Sequence, residues 1–314
     1  MMQLEGIIKA LCKSEKRGTV KKPVDKVTLK ENYGLEGDAH AGNWHRQVSL
    51  LSYDKVEQFN AKGGKAGFGT FGENILVEGL DFRSLPVGTS LLCGEVVLKM
   101  TQIGKECHSH CEIYKRVGDC IMPREGVFAV VIKGGTLEVG AKMTAILPEK
   151  DAPLRAAVMT LSDKGSRGER VDTSGPRAAE LLVAAGYEIV EMVLLPDEQK
   201  QIERELKRLA DQRQVDLIIT TGGTGMSLRD CTPEATLAVA TRNVPGIAEA
   251  IRAGSMAITK RAMLGRGASV LRNNTLIVNL PGSKKAVEES LELVLPELEH
   301  GLQILKGSAS ECGR

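Results

Sequence analysis

The sequence predicts a two-domain α/β protein, in which a β-rich domain precedes a doubly wound, mainly parallel α/β domain. The chain has 314 residues, which is more than one hydrophobic core usually contains. Short β-branched runs between Gly and Pro turns fill residues 1–150, whereas strand and helix patterns alternate after the linker. We therefore predict a first domain at 1–148, a linker at 149–153, a second domain at 154–307 and a tail at 308–314.

The composition is that of an ordinary globular protein, with 42% hydrophobic and 26% charged residues and a net charge of +2. This charge balance argues against nucleic-acid binding, and an aromatic content of 3% argues against stacking platforms for single strands. We find no apolar run of membrane-spanning length and no signal-peptide pattern at the start. The seven cysteines are therefore expected to be reduced thiols in a cytoplasmic protein.

The first domain is predicted to consist mainly of short strands. These are expected at residues 4–11, 47–51, 74–77, 90–92, 95–100, 127–132 and 142–146. One helix is predicted at 53–62, with Ser52 as its N-cap. Short strands between turns are typical of a β-barrel or a β-sandwich.

Two glycine-rich loops of this domain are candidates for chemistry. In the first, Asp38 and His40 place a carboxylate and an imidazole two residues apart, which suits either a binding role or an ordinary surface loop. The second, at 67–72, matches the dinucleotide-binding fingerprint letter by letter. However, it lacks the preceding strand and following helix that the fingerprint requires, so we predict a loop without that function.

A third candidate is the run at 105–111, which contains two thiols and two imidazoles and is followed by Cys120. These groups could ligate zinc, but the spacing of Cys107 and Cys111 leaves little room for a tetrahedral site. A reactive thiol is the preferred interpretation, because Lys105, Arg124 and the nearby histidines favour the thiolate. Buried structural thiols are the third alternative.

Several segments of the first half together resemble the MOSC domain, namely residues 37–40, 48–51, 71–75 and 101–107. That domain is found at the C-terminus of molybdenum cofactor sulfurases and as a stand-alone bacterial protein. The resemblance covers nearly all of residues 1–148. It implies a β-rich barrel, a role in carrying molybdenum cofactor or sulfur, and a functional cysteine at Cys107, with Cys111 and Cys120 as further candidates.

The second domain is predicted to alternate strands with helices, which implies right-handed crossovers and a mainly parallel sheet. The strands are expected at 155–161, 188–195, 215–220 and 275–280, and the helices at 173–185, 198–211, 233–241, 247–259 and 284–305. Thr173 or Ser174 is predicted to cap the first of these helices and Gly186 to end it. Thr232 is predicted to cap the third, with Pro233 at its first position.

A polar segment follows each of these four strands, at 162–168, 196–198, 221–225 and 279–284, and two of the segments are glycine loops. Because ligands of such sheets bind outside the carboxyl ends of the strands, the segments are expected to meet at one edge. Glycine-loop N–H groups suit phosphate oxygens, and Asp197 and Asp230 could share Mg²⁺ on a polyphosphate. The alternative is a set of tight turns with surface threonines. The residues alone leave the substrate open, since we find no Walker-type loop.

The motifs at 161–165, 172–175, 196–198, 220–225, 229–236 and 279–283 resemble the molybdopterin adenylyltransferase family over about residues 153–307. The resemblance implies adenylylation of molybdopterin by ATP, a trimeric assembly, and functional aspartates at Asp197 and Asp230 that hold Mg²⁺. It places substrate binding at Thr221, Gly222, Gly223, Thr224, Gly225, Pro281, Gly282 and Ser283. We add Ser162, Lys164 and Arg229, of which the two cations would offset phosphate charge.

Two rival functions stay open from the sequence. The chain could be a non-catalytic carrier or insertion protein that binds finished molybdenum cofactor. It could also be a cysteine-based sulfur-transfer enzyme whose second domain serves only for docking. An acceptor molybdoenzyme or a sulfur-donor protein is the expected partner, and the sequence does not distinguish molybdenum from tungsten.

Overall fold

A computed structural model describes residues 4–106, 114 and 118–307. Spatial contacts divide the chain into two compact units, Met1–Glu149 and Lys150–Arg314. Across the described residues, no helix combines the length and apolar character that crossing a bilayer requires.

The first unit is built mainly from strands. They are β1 (Leu4–Lys13), β2 (Lys22–Val24), β3 (Lys26–Lys30), β4 (Gly34–Leu35), β5 (Val48–Ser52), β6 (Ile75–Glu78), β7 (Ser90–Cys93), β8 (Val96–Ile103), β9 (Val127–Lys133), β10 (Gly135–Glu138) and β11 (Lys142–Ile146). Helices Tyr53–Ala61 and Met122–Glu125 and the 3₁₀ turn Phe82–Ser84 connect them.

These strands close into a barrel, which confirms the barrel prediction. The hydrogen-bonded order is β11-β7-β8-β9-β5-β6-β1, and β1 pairs back onto β11 with Leu4 opposite Ala145. Closure leaves no unpaired edge within the barrel. The interior is filled by buried aliphatic side chains such as Ile8, Leu50 and Leu98. A small additional sheet has the order β10-β3-β4.

The sequence missed β2, β3, β4 and β10. β2 and β4 are only 3 and 2 residues long, too short for a two-residue periodicity to register. Ser52 occupies the N-cap position as predicted, but its hydroxyl makes no cap bond to the helix. That hydroxyl instead accepts a hydrogen bond of 3.1 Å from the N–H of Phe82.

The second unit alternates strands with helices. The strands are β12 (Arg155–Leu161), β13 (Glu188–Leu195), β14 (Leu217–Thr221), β15 (Arg242–Asn243), β16 (Ser269–Arg272) and β17 (Thr275–Leu280). The helices are Asp163–Ser166, Ser174–Ala184, Gln199–Lys207, Thr232–Ala238, Pro245–Ile258 and Lys284–Leu305, with a π turn at Arg208–Gln212 and a 3₁₀ turn at Lys260–Leu264.

The six strands form one sheet in the order β13-β12-β14-β17-β16-β15. The first four are parallel and the last two antiparallel, which confirms the mainly parallel prediction. Neighbouring residues of β12 point to opposite faces, so Val158 and Met159 belong to separate buried clusters. Helices pack on both faces, and the carboxyl ends of the parallel strands share one edge.

Two predicted side-chain caps in this unit are wrong. Thr173 occupies the N-cap position but makes no cap bond. Asp172 Oδ1 instead accepts from the N–H groups of Ser174 and Gly175, each at 3.0 Å, and so satisfies the start of that helix. Thr232 lies inside its helix. Its hydroxyl donates to the carbonyl of Gly222 at 2.9 Å, and among the described residues no side chain caps the start of this helix.

Candidate active site

The glycine loop after β14 occupies a position where side chains do not fit. Gly222 (φ +97°) and Gly223 (φ +62°) adopt the left-handed backbone region, which favours glycine. A Cβ atom on Gly222 would lie 2.3 Å from the carbonyl oxygen of Leu161, at the end of β12. A Cβ atom on Gly223 would lie 2.7 Å from Asp197 Oδ1 and 2.2 Å from Thr232 Oγ1. The loop therefore packs directly against the turns that follow β12 and β13.

The turn after β17 joins the same edge. A Cβ atom on Gly282 would lie 3.0 Å from the Cα atom of Gly222. The hydroxyl of Thr221, which is fully buried, donates a hydrogen bond of 3.1 Å to the carbonyl of Pro281. Thr221 thus fixes the turn through its side chain, and the segments after β12, β13, β14 and β17 meet in space.

Ser162 organises the turn after β12. Its N–H donates to the carbonyl of Leu195 at 2.8 Å, and its hydroxyl accepts from the N–H of Gly165 at 3.0 Å. Ser162 therefore caps the short helix Asp163–Ser166. The side chain of Lys164, in this helix, is exposed.

The two aspartates contact the glycine loop at different points. Asp230 lies beside Gly225, since a Cβ atom there would be 2.8 Å from Asp230 Oδ2. The N–H of Ser227 donates to that oxygen at 3.0 Å. Asp197 Oδ2 accepts from the N–H of Asp163 at 3.1 Å. The other oxygen, Asp197 Oδ1, is buried and has no hydrogen-bond donor among the described residues.

The electrostatics of these carboxylates favour a bound cation. Burial raises the pKa of Asp197, and the charges of Asp163 and Asp230 raise it further. Within the described residues, no group of three or more His, Cys, Asp and Glu side chains is arranged to hold a metal ion. The buried oxygen Asp197 Oδ1, which lies beside the glycine loop and has no donor among the described residues, suits Mg²⁺, which usually takes one or two carboxylates and completes its shell with water and substrate phosphates.

Arg229 lies in this region between two acidic side chains. Its guanidinium donates to Asp163 through Nε at 3.0 Å and Nη2 at 2.9 Å. Nη2 also donates to Glu198 Oε1 at 2.8 Å. Since 53% of the Arg229 side chain is exposed, a ligand can approach it from solvent.

A cavity of about 620 Å³ opens beside the glycine loop. The predicted site residues in its lining are Gly222, Gly223, Thr224, Gly225, Asp230, Pro281, Gly282 and Ser283. The others, Ser162, Lys164, Asp197, Thr221 and Arg229, are not in the lining. Asp197 nevertheless borders the loop through its contact with Gly223.

Residues 157–300 match the family described as the probable molybdopterin binding domain, and residues 37–144 match the MOSC domain. The molybdopterin adenylyltransferase of Helicobacter pylori J99 is 38% identical over 162 residues, which cover 49% of this chain and 89% of that protein. The chain belongs to the molybdopterin adenylyltransferase family. The relationship resides in the second unit, and the first unit contains a MOSC domain.

Two further proteins are also similar to this chain. The molybdopterin adenylyltransferase of Escherichia coli K12 is 43% identical over 142 residues, covering 44% of this chain and 72% of that protein. The crystal structure of the molybdopterin biosynthesis enzyme MoaB from Thermus thermophilus is 46% identical, with coverage of 49% of this chain and 97% of that chain and a TM-score of 0.47.

Arg266 also belongs to the site, and the sequence did not predict it. Its Nε donates to the carbonyl of Gly225 at 2.6 Å and its Nη2 to the carbonyl of Asp230 at 2.7 Å. Its guanidinium also pairs with Glu234. Arg266 therefore ties both ends of the segment between the glycine loop and Asp230. Arg266 precedes strand β16, which was not predicted, and no local sequence pattern marks Arg266 as a site residue.

The far wall of the cavity was also missed. It is formed by helix Pro245–Ile258 and the 3₁₀ turn Lys260–Leu264, which contribute Ile251, Arg252 and Arg261. Arg252 donates to the carbonyls of Gly265 and Gly267 at 3.1 and 3.3 Å. The helix itself was predicted, but no periodicity in its sequence marks one face as a cavity wall.

In the MOSC domain, the carboxylate of Asp38 has a structural role, because it accepts hydrogen bonds from several neighbouring residues. Both of its oxygens accept from Lys21 Nζ, at 2.8 and 2.7 Å, and further bonds come from the N–H groups of Ser14 and His40, each at 3.0 Å. Burial acts to raise the pKa of Asp38, but the bonds from His40 and Lys21 outweigh it and lower that pKa.

The predicted thiol cluster is only partly within the described residues. Cys107 and Cys111 lie outside them, and Cys120 is buried. The guanidinium of Arg124 is paired with Asp119 at 2.9 Å. The glycine-rich segment at 67–72 forms turns and no helix, as expected.

Proposed function

We propose that the second unit transfers the adenylyl group of ATP to the terminal phosphate of molybdopterin. The observation that carries this proposal is the contact of one glycine loop with Asp197 at Gly223 and with Asp230 at Gly225. A loop whose backbone N–H groups suit phosphate oxygens is thereby joined to two carboxylates that suit a divalent cation. Family membership provides the identity of the substrates.

The reaction needs little acid–base catalysis. An oxygen of the molybdopterin phosphate, already an anion, attacks the α-phosphorus of ATP, and the bond from that phosphorus to the pyrophosphate oxygen breaks. Pyrophosphate leaves, and no proton has to move to or from the attacking oxygen. The protein therefore has to align the two phosphates and offset their charge.

The residues divide this work between them. The N–H groups of the glycine loop bind phosphate oxygens, and Arg229 and Lys164 offset phosphate charge from the β12 side. Asp197 and Asp230 would hold Mg²⁺, which would supply positive charge to offset the phosphates. The buried oxygen Asp197 Oδ1, which lacks a donor among the described residues, is the atom best suited to that role.

The direct test is incubation of the protein with molybdopterin and Mg-ATP, followed by mass spectrometry of the bound product. We expect adenylyl-molybdopterin and one pyrophosphate per product. A carrier or insertion protein would bind molybdopterin without releasing pyrophosphate. Binding without pyrophosphate would therefore replace the enzymatic proposal with the carrier function.

We further propose that the MOSC domain receives the cofactor or its sulfur through Cys107. This rests on the match of residues 37–144 to the MOSC domain and on the position of Cys107 in the motif that follows β8. The partner would be an acceptor molybdoenzyme or a sulfur-donor protein.

Persulfide trapping tests the role of Cys107. After exposure to a low-molecular-weight persulfide, alkylation and peptide mass spectrometry should locate the extra sulfur on Cys107, and Cys107→Ser should lose it. Cys111→Ser is the matched control and should retain the modification. Retention in Cys107→Ser together with loss in Cys111→Ser would assign the function to the other thiol.

A further inference from the structure

Asp163 and Asp197 hold each other through a reciprocal pair of hydrogen bonds. The N–H of Asp163 donates to Asp197 Oδ2 at 3.1 Å, and the N–H of Asp197 donates to Asp163 Oδ1 at 3.1 Å. Asp163 belongs to the turn after β12 and Asp197 to the turn after β13. The two turns are thereby fastened together at the site, and one carboxylate oxygen of each residue is committed to the other.

The Asp163 carboxylate also pairs with the guanidinium of Arg229. Both of its oxygens accept from the Arg229 guanidinium, at 2.9 and 3.0 Å. This bidentate geometry fixes a guanidinium more firmly than a single bond does. Glu198 makes one bond to the same guanidinium, at 2.8 Å. Asp163 is therefore the residue through which Asp197 and Arg229 are linked.

We propose that Asp163 is a positioning residue for adenylyl transfer, which directs the free oxygen of Asp197 and the guanidinium of Arg229 toward the same phosphates. The inference rests on the proposed function of this site. With Oδ2 of Asp197 engaged by the Asp163 N–H, Oδ1 is the atom left beside Gly223 to meet a cation. Asp163, Asp197 and Arg229 all lie outside the cavity lining, but Asp197 contacts the glycine loop at Gly223. Asp163 therefore acts through Asp197 and Arg229, which it holds.

The geometry around Asp163 requires a carboxylate. Two oxygens of one side chain accept from Arg229, and one of them also accepts from the Asp197 N–H. A neutral side chain at this position would keep at most part of the arrangement. An asparagine oxygen could still accept from the Asp197 N–H, but the amide NH₂ group is a donor and could not accept from Arg229, so the bidentate pairing and its negative charge would be lost.

Three substitutions separate the effect of Asp163 on Asp197 from its effect on Arg229. Asp163→Ala removes the side-chain oxygen that accepts from the Asp197 N–H and the pairing with Arg229, while the backbone N–H that donates to Asp197 Oδ2 remains. Asp163→Asn keeps the acceptor for the Asp197 N–H and weakens the pairing with Arg229, and Glu198→Gln changes the other acidic partner of Arg229. Binding of Mn²⁺ would be measured by electron paramagnetic resonance at saturating α,β-methylene-ATP, which cannot release pyrophosphate. Pyrophosphate release from ATP and thermal unfolding would be measured on the same full-length proteins.

We expect Asp163→Ala to weaken Mn²⁺ binding about tenfold, the effect of losing one well-made hydrogen bond at the site. Asp163→Asn should bind Mn²⁺ within about twofold of the parent protein and still release pyrophosphate more slowly, because Arg229 is no longer aligned. Glu198→Gln should leave Mn²⁺ binding unchanged. A purely structural role would lower the unfolding temperature without producing this split between alanine and asparagine.

Two outcomes would overturn the proposal. One is parent-like Mn²⁺ binding and pyrophosphate release in Asp163→Ala; the other is equal loss of Mn²⁺ binding in Asp163→Asn and Glu198→Gln. If Asp163→Ala fails to fold, the asparagine and Glu198→Gln variants still decide the point. Absence of pyrophosphate release in the parent protein would refute the proposed function instead, and the Mn²⁺ titrations would still report whether Asp163 orients Asp197.

Discussion

Lys21 and Asp38 form an ion pair with almost no solvent access, since 0% and 1% of their side chains are exposed. The sequence placed Asp38 among candidate functional residues but offered no reason to pair it with Lys21, 17 residues away. Such a pairing is set by how the strands close, and no local pattern encodes it. The pair secures the loop that contains His40, whose N–H also donates to Asp38.

Breaking this pair should destabilise the MOSC domain. Lys21→Met leaves an uncompensated buried carboxylate at Asp38, which typically costs about 3–5 kcal/mol. Urea unfolding followed by the fluorescence of Trp44, the only tryptophan of the chain, would measure this loss in the free energy of unfolding. The matched control is Lys26→Met, because the Lys26–Glu138 pair is 60% and 63% exposed and should contribute nothing measurable. Equal urea midpoints for Lys21→Met and Lys26→Met would contradict the claim that the buried ion pair stabilises the domain more than the exposed one.

Glu73 should give the MOSC domain a distinctive pH dependence. Its carboxyl is fully buried and accepts from the N–H groups of Gly69 and Phe71 at 2.6 and 3.1 Å. Burial raises the pKa of Glu73 to about 7 from its ordinary value of 4.5. The folded state then holds a proton that the unfolded state has released, so this group makes the domain less stable as pH rises from 4.5 to 7.

The difference between the parent protein and Glu73→Gln isolates this effect. Urea midpoints from Trp44 fluorescence should fall between pH 4.5 and 7 in the parent more steeply than in the variant. Parallel pH profiles for the two proteins would show that Glu73 titrates outside this range.

At the scale of elements, the sequence predicted those segments whose local pattern is strong. Strand β12 and helix Lys284–Leu305 have the predicted bounds. β12 is a continuous apolar run between polar segments, and the helix is a long amphipathic segment. The strands β2, β3, β4, β10, β15 and β16 were missed, and so was the cap formed by Asp172. Arg266 was missed for a related reason, because it reaches Gly225 across 41 residues. Contacts between distant turns decide these features.

The glycine loop should not tolerate a side chain at Gly223. Its left-handed backbone and the contacts of 2.2 and 2.7 Å that a Cβ would make with Thr232 and Asp197 leave no space. Gly223→Ala should therefore displace Asp197 and reduce pyrophosphate release at least about tenfold. Gly301→Ala is the control, because helix Lys284–Leu305 has open space there; that change should leave activity unaltered and stabilise the helix by about 1 kcal/mol. Full activity in Gly223→Ala would contradict this account of the loop.

For the whole molecule, the sequence predicted the fusion of a MOSC domain with a molybdopterin adenylyltransferase-like domain, and both matches confirm it. The β-rich barrel and the mainly parallel sheet are likewise confirmed. The polar segments after the parallel strands meet as predicted, because parallel strands bring their carboxyl ends to one edge of the sheet. Residues far apart in sequence thereby become neighbours by topology alone. The wall of the cavity at Ile251 and Arg252 depends on side-chain packing, which topology does not specify.

The central claim is that Asp197 and Asp230 act together on ATP, and one measurement tests it most directly. This is the rate of adenylyl-molybdopterin formation by Asp230→Asn at saturating ATP and molybdopterin over a range of Mg²⁺ concentrations. Asp25→Asn, an exposed carboxylate of the other unit, is the control. We expect Asp230→Asn to lower the rate about 100-fold or more at low Mg²⁺ and Asp25→Asn to match the parent protein. An undiminished rate in Asp230→Asn at every Mg²⁺ concentration would contradict the account.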